Sequence, residues 1–127
     1  MSSDFIPEVV KNQMTSEQRA KLQEVINELP EKLCFGKLYN PRHKEGGGQY
    51  CIAGFLLHKA GVDDKTLMQV HMLAKKELSS HIDNKLTEEY GLDSFTVRQL
   101  ILRNDSTPIK TRTKSMKKML QEIIDGE

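Results

Sequence analysis

The sequence predicts a mainly α-helical fold: a compact, irregular bundle of five or six short helices, with at most a short strand or hairpin near residues 33–50. Apolar residues recur in several segments at the three- and four-residue spacing of one helix face. Most of these segments are bounded by capping residues, glycine or proline. No repeat, linker or shift in composition divides the chain. We therefore expect an N-terminal arm over residues 1–14 and a single helical domain over residues 15–127.

The first helix is predicted to begin after Thr15 and to end before Pro30. Thr15 and Gln18 have the spacing of a capping box, in which each side chain binds the other residue's backbone N–H. The apolar positions that follow share one helix face: Leu22, Val25, Ile26 and Leu29. The segment 33–39 is too short for another helix before Asn40-Pro41, so it is predicted to be extended and to lead into a polar loop over 40–49.

A second helix is predicted over residues 50–60, with Cys51 in its first turn and Gly61 as a left-handed C-cap. This segment is apolar on nearly every side, which is typical of a helix buried at the centre of a bundle. Ala53 and Gly54 are small enough to let a neighbouring helix approach closely.

Four later segments carry helix signals. Asp63 or Asp64 is expected to cap a helix with Leu67, Val70, Ala74 and Leu78 on one face. A further turn or helix over 81–90 is closed by Gly91, and Asp93-Ser94 caps a helix over 95–103 that Asn104 and Asp105 are expected to terminate. The last helix is predicted from about Lys114, with one apolar stripe: Met116, Met119, Leu120, Ile123 and Ile124.

Composition limits the classes of function. The net charge is only +1 and there is no tryptophan, so neither a strong overall field nor a base-stacking surface points to nucleic acid. No secretory signal and no apolar run of the roughly 20 residues needed to span a bilayer is present, so we expect a cytoplasmic protein without membrane contact. In that compartment Cys34 and Cys51 are expected to be free thiols.

Cys51 is the first candidate for chemistry, because a thiol at a helix N-terminus can be stabilised as a thiolate. A nucleophile also needs a base, and His71 is the best candidate since it lies beside Val70 and Ala74 on an inward-facing side. The alternative is that Cys51 and His71 are both ordinary core residues.

A metal site is not predicted. Cys34, His43, Cys51 and His58 are suitable ligand types for zinc, but their spacing lacks the short Cys-x2-Cys knuckle of structural sites. No cofactor is expected either.

Two basic segments are candidates for binding a partner. The polar loop carries Arg42, His43 and Lys44 and ends at Gln49; its flexible glycines precede a rigid helix, an arrangement that suits recognition. The segment 110–118 contains Lys110 and Arg112 and no acidic residue, so it could hold phosphates or contact another partner; the alternative is that it is the solvated start of a helix.

Residues 50–62 resemble the nucleophile helix of the NlpC/P60 cysteine peptidases. In those enzymes a helix begins with Cys, continues with Gly and a large apolar residue, and closes with Gly-Ile or Gly-Val; here these are Cys51, Gly54-Phe55 and Gly61-Val62. The resemblance implies a nucleophilic Cys51. The chain has no Gly-Asp before a strand and no strand carrying a histidine, so the base and the sheet of those enzymes have no counterpart.

Residues 33–124 are similar to a family of small bacterial and phage-encoded proteins, a domain of unknown function. The shared features are a helix starting at Cys-x-x-Gly, a closing glycine, a later Asn-Asp and a final amphipathic helix: Cys51 to Gly54, Gly61, Asn104-Asp105 and residues 113–124. The resemblance implies a fold and no established activity.

Taken together, these features favour a small cytoplasmic accessory protein that binds another protein without catalysis. The predicted contact residues are Arg42, His43, Lys44, Gln49, Lys110 and Arg112. A cysteine-dependent hydrolase using Cys51 and His71, and a nucleic-acid-binding protein using the segment 110–118, are the two alternatives. The oligomeric state is left open.

Overall fold

A computed structural model describes residues 14–34, 38–40, 49–71 and 75–126, with residues 70, 71, 75–79 and 81 described by their backbone alone. Within these residues the chain forms six helices and one two-stranded hairpin, in the order α1 (Ser16–Glu28), β1 (Tyr39–Asn40), β2 (Gln49–Tyr50), α2 (Ile52–Lys59), α3 (Asp64–His71), α4 (Lys75–Tyr90), α5 (Ser94–Ser106) and α6 (Ile109–Asp125). The predicted mainly α-helical class is confirmed.

Helix α2 is buried at the centre of the bundle, as its composition predicts. All six residues from Ile52 to Leu57 are buried, and α2 contacts α4, α5 and β2. Helix α1 packs against α4 and α6, and α5 packs against α6. The buried Tyr90 of α4 donates its hydroxyl hydrogen to the Leu56 carbonyl at 2.7 Å. Without this bond the hydroxyl group would be buried with no hydrogen-bond partner.

The hairpin pairs Tyr39 with Tyr50 and Asn40 with Gln49 in antiparallel register. Two further backbone hydrogen bonds connect the hairpin to its neighbours. The Cys51 N–H donates to the Leu38 carbonyl at 3.2 Å, and the Cys34 N–H donates to the Tyr50 carbonyl at 2.9 Å. The segments around residues 34, 38 and 50 are therefore held side by side at the N-terminus of α2.

Gly54 marks the closest approach between α2 and the hairpin. A Cβ atom at this position would lie 1.8 Å from the Leu38 carbonyl oxygen and 2.7 Å from its carbon. Only glycine fits there. The small residue admits the backbone of Leu38, just before β1, whereas the sequence suggested that it would admit another helix.

Residues 30–34 have neither helix nor strand, and side chains of distant helices bind their carbonyl groups. The Thr113 hydroxyl lies 2.8 Å from the Pro30 oxygen and 3.0 Å from the Glu31 oxygen. Arg112 donates to the Leu33 carbonyl at 2.6 Å, and Asn104 donates to the Cys34 carbonyl at 3.0 Å. These bonds satisfy backbone groups that a sheet or helix would satisfy elsewhere.

The helix signals were read correctly at most ends. Thr15 and Gln18 form the predicted capping box, Asp93 caps α5, and Gly61 and Gly91 have positive φ values of 100° and 72°. Of the two candidate capping residues, Asp63 and Asp64, it is Asp63 that accepts the Thr66 N–H, at 2.8 Å.

Three boundaries differ from the prediction. The final helix starts at Ile109, directly after the N-cap Pro108, and not near Lys114, because packing of Met116 and Leu120 outweighs the unfavourable basic first turn. The further turn or helix expected over 81–90 is part of α4, which includes Leu78 as well, while residues 72–74 of the preceding pattern lie outside the described ranges. Helix α5 continues through Asn104 and Asp105 to Ser106, so these two residues do not terminate it.

Candidate functional site

Cys51 is the N-cap of α2 and not a residue of its first turn. Its backbone is extended, with φ −82° and ψ 178°, and its sulfur accepts the Gly54 N–H at 3.3 Å. Serine, threonine, aspartate or asparagine usually makes this bond. The residue is only 6% exposed, so the sulfur is part of the packed interior.

Burial determines the ionisation of this thiol. It raises the pKa of Cys51 to about 12, an effect reinforced by the nearby Cys34 and Asp105 and opposed by the Gly54 N–H. The helix N-terminus acts in the direction that the sequence suggested, but desolvation of the thiolate outweighs it. At neutral pH the thiol is therefore protonated and is a poor nucleophile.

A thiol-labelling experiment tests this account of Cys51. At pH 7 we expect iodoacetamide to leave both Cys51 and Cys34 unmodified in the folded protein, since both are buried, and to alkylate both after denaturation. Peptide mass spectrometry after a short pulse reads out each site. Rapid modification of Cys51 alone in the folded protein would contradict a sealed, protonated thiol.

The predicted partner of Cys51 cannot be placed. The backbone of His71 ends α3, and its side chain lies outside the described residues, as do Arg42, His43 and Lys44. The pairing of Cys51 with His71 and the contact role of Arg42, His43 and Lys44 in the polar loop remain predictions.

Asn104 is a structural residue inside α5, and not the terminating residue that the sequence predicts. It is fully buried within α5, where it accepts the Ile52 N–H at 3.0 Å and donates to the Cys34 carbonyl at 3.0 Å. A second amide hydrogen goes to the Asp105 carboxylate at 3.0 Å. Asn104 therefore caps the start of α2 and not the end of its own helix. Its spacing from Val97 and Leu100, both buried, could have indicated an inward-facing position.

Arg112 has a similar structural role. It is 5% exposed, its Nε donates to the Thr107 carbonyl at 3.0 Å, and its guanidinium also binds the Leu33 carbonyl. In contrast to the prediction, Arg112 is not part of an exposed basic surface. Burying a guanidinium requires such acceptors, and backbone carbonyls supply them here.

Gln49 and Lys110, the other two predicted contact residues that the structure describes, lie in different environments. Gln49 is half-buried in β2, and its carbonyl accepts the Cys34 thiol at 3.7 Å. Lys110 is exposed in the first turn of α6.

A surface cluster of Tyr50, His58 and Asp64 was not anticipated. The Tyr50 hydroxyl donates to the Asp64 carboxylate at 2.7 Å and lies 3.2 Å from Nδ1 of His58, while the two rings stack with centroids 4.6 Å apart. Tyr39 and Phe55 pack on the Tyr50 ring. The sequence signal for this cluster is the eight-residue interval between Tyr50 and His58, which spans the start of α2.

This cluster is suited to holding the hairpin on α2 and not to nucleophilic chemistry. Burial, followed by the hydrogen bond to Asp64, raises the pKa of the Tyr50 phenol well above its usual value. The phenol is therefore a hydrogen-bond donor at physiological pH and is not available as a phenolate.

Helix α5 exposes two large apolar side chains. Phe95 is 71% exposed and Leu102 is 62% exposed, while most other large apolar side chains that the structure describes are buried. They are seven residues apart, so they lie two turns apart, about 10 Å, on the same side of the helix. Between them Arg98 is fixed by two hydrogen bonds of 3.0 Å to the Asp83 carboxylate of α4.

In the described part of the chain, no group of three or more His, Cys, Asp and Glu side chains is able to hold a metal ion. None of the helices in these ranges combines the length and apolar character that crossing a bilayer requires.

Neither a known family, nor a curated protein, nor a solved structure matches the chain.

Proposed function

We propose that this protein is a small cytoplasmic accessory protein that binds another protein without catalysis, and that its contact surface is the exposed face of α5 around Phe95, Arg98 and Leu102. The proposal rests on the two apolar side chains that α5 exposes at 71% and 62%. Removing such side chains from water is the main source of affinity in protein–protein contacts.

The composition of this face also supports the proposal. Interfaces are enriched in aromatic residues and arginine, and their binding energy comes mainly from a few such anchors. Arg98 is already held by Asp83, so little side-chain entropy would be lost on binding.

The environment of the thiol supports a role without catalysis. Cys51 is buried, accepts a backbone hydrogen bond and has a raised pKa, which does not suit the hydrolase alternative. Both cysteines are free thiols, which supports the cytoplasmic location that we propose.

The test compares the double variant Phe95→Asp/Leu102→Asp with the wild type. Partners captured from an extract of the native cells by crosslinking would be identified and purified, and their affinities measured by calorimetry. We expect the double variant to bind at least about 30-fold more weakly, which corresponds to a loss of about 2 kcal/mol at the anchors.

Ala20→Asp/Gln69→Asp is the matched control, because it adds the same charge at exposed positions of α1 and α3. It should bind like the wild type. Unchanged affinity of the Phe95/Leu102 variant for a purified partner would contradict the proposed surface.

A further inference from the structure

Helix α6 carries four lysines on one face: Lys110, Lys114, Lys117 and Lys118. All four are exposed. At 100° per residue they fall within an arc of about 100°, and from first to last they span about 12 Å along the axis. We call this set the lysine face.

The lysine face lies on the solvent side of α6. The buried residues of the helix, Arg112, Met116 and Leu120, occupy the other side. Among the residues that the structure describes, no carboxylate lies within 4 Å of any of the four ammonium groups, whereas Lys21, Lys59 and Lys85 all have such partners. Within the described part of the chain, these four charges therefore form no ion pair that holds the fold together.

The position of these lysines does not serve helix stability either. Lys110 lies in the first turn of α6, where the helix dipole disfavours cations, while Glu122 and Asp125 lie at the end that disfavours anions. Repulsion between lysines spaced by four residues adds to this disadvantage.

We propose that the lysine face binds the phosphate backbone of a nucleic-acid duplex without reading its base sequence. Four charges that span about 12 Å are separated on average by about 4 Å along the axis, close to the one phosphate per 3.4 Å that each strand of a duplex presents. An acidic protein helix would have to place four mutually repelling carboxylates on one face to reach the same density.

The residue types on this face fit backbone contact and not base recognition. Lysine is a point charge without the bidentate geometry that arginine uses to read guanine, and the only arginine of α6 is buried. The helix contains no aromatic residue on which a base could stack. This site uses none of the residues of the proposed protein-binding face of α5, and it can fail without affecting that proposal.

Fluorescence anisotropy with short labelled DNA duplexes of two unrelated sequences tests the proposal on the full chain. We expect the two duplexes to bind equally well. With four phosphate contacts, the affinity should fall by about 150-fold between 50 and 200 mM salt, because the logarithmic slope is about −0.9 per contact.

Two variants with the same change of charge separate the lysine face from general electrostatics. Lys114→Gln/Lys118→Gln should reduce the salt effect to about 12-fold over the same range and weaken binding at 50 mM by about tenfold or more. Lys21→Gln/Lys65→Gln removes two exposed lysines elsewhere and should leave the salt effect unchanged. Lys114→Arg/Lys118→Arg keeps the charge and should bind like the wild type, which also reports that changes at these positions are compatible with folding.

Three results would overturn the proposal. The first is a salt effect below about fourfold, which would mean at most one phosphate contact. The second is an equal loss of affinity in the Lys21/Lys65 control. The third is binding of polyglutamate, or of vesicles with anionic lipids, under conditions where neither duplex binds, since this would assign the lysine face to another class of partner.

Discussion

Gly54→Ala is expected to destabilise the protein more than any other single-methyl addition in α2. The added Cβ would meet backbone atoms of Leu38 at 1.8, 2.7 and 3.1 Å, and backbone cannot move aside as the tip of a flexible side chain can. Moving Leu38 would also break its hydrogen bond to the Cys51 N–H. We expect a loss of about 4 kcal/mol or more, against a typical total stability of about 5–15 kcal/mol. Urea unfolding followed by circular dichroism measures it.

Gly61→Ala is the matched control for this substitution. Gly61 has a φ of 100° and open space around its Cα, so alanine there costs only the left-handed backbone strain, about 1–2 kcal/mol. In the helical backbone of Gly54, alanine would by itself be favourable by about 1 kcal/mol. A Gly54→Ala protein as stable as the wild type would show that Leu38 does not lie against α2 as described.

Asn104→Leu is expected to have the second large effect. Leucine has nearly the same shape, but it leaves the Ile52 N–H and the Cys34 carbonyl buried without their partner. Each orphaned group costs about 1–3 kcal/mol, so we expect a loss of about 2–6 kcal/mol in urea unfolding. Hydrogen exchange should also show faster exchange of the Ile52 amide, because α2 loses its cap.

Asn84→Leu provides the comparison for Asn104. It makes the same chemical change at an exposed position of α4 and should shift stability by no more than about 0.5 kcal/mol. If the two variants unfolded at the same urea concentration, the side chain of Asn104 would not be the link between α2, α5 and the segment at Cys34.

Local sequence signals predicted the helices well, because capping depends on neighbours three or four residues apart. Thr15 with Gln18, Asp93 with Thr96, and Gly91 each act within a single turn, and all three were recognised. The start of α6 at Ile109 was missed because a basic first turn is unfavourable in isolation, and packing of Met116 and Leu120 overrides that preference.

The roles of Asn104 and Arg112 could not be read from local spacing. Their partners Cys34 and Leu33 are 70 and 79 residues away in the chain, so these hydrogen bonds exist only in the assembled fold. The protonation state of Cys51 is equally hard to predict from local sequence. Its place at a helix N-terminus was visible in the sequence, whereas the burial that keeps the thiol protonated comes from residues outside its own helix.

The irregular segment at residues 30–34 has a consequence for biosynthesis. Its carbonyl groups are bound by Asn104, Arg112 and Thr113, which a ribosome adds 70 or more residues later. Until then α1 and the hairpin lack the contacts that fix the segment between them. This part of the nascent chain therefore gains those contacts only when α5 and α6 emerge, and a chaperone that shields it during translation should increase the yield of native protein.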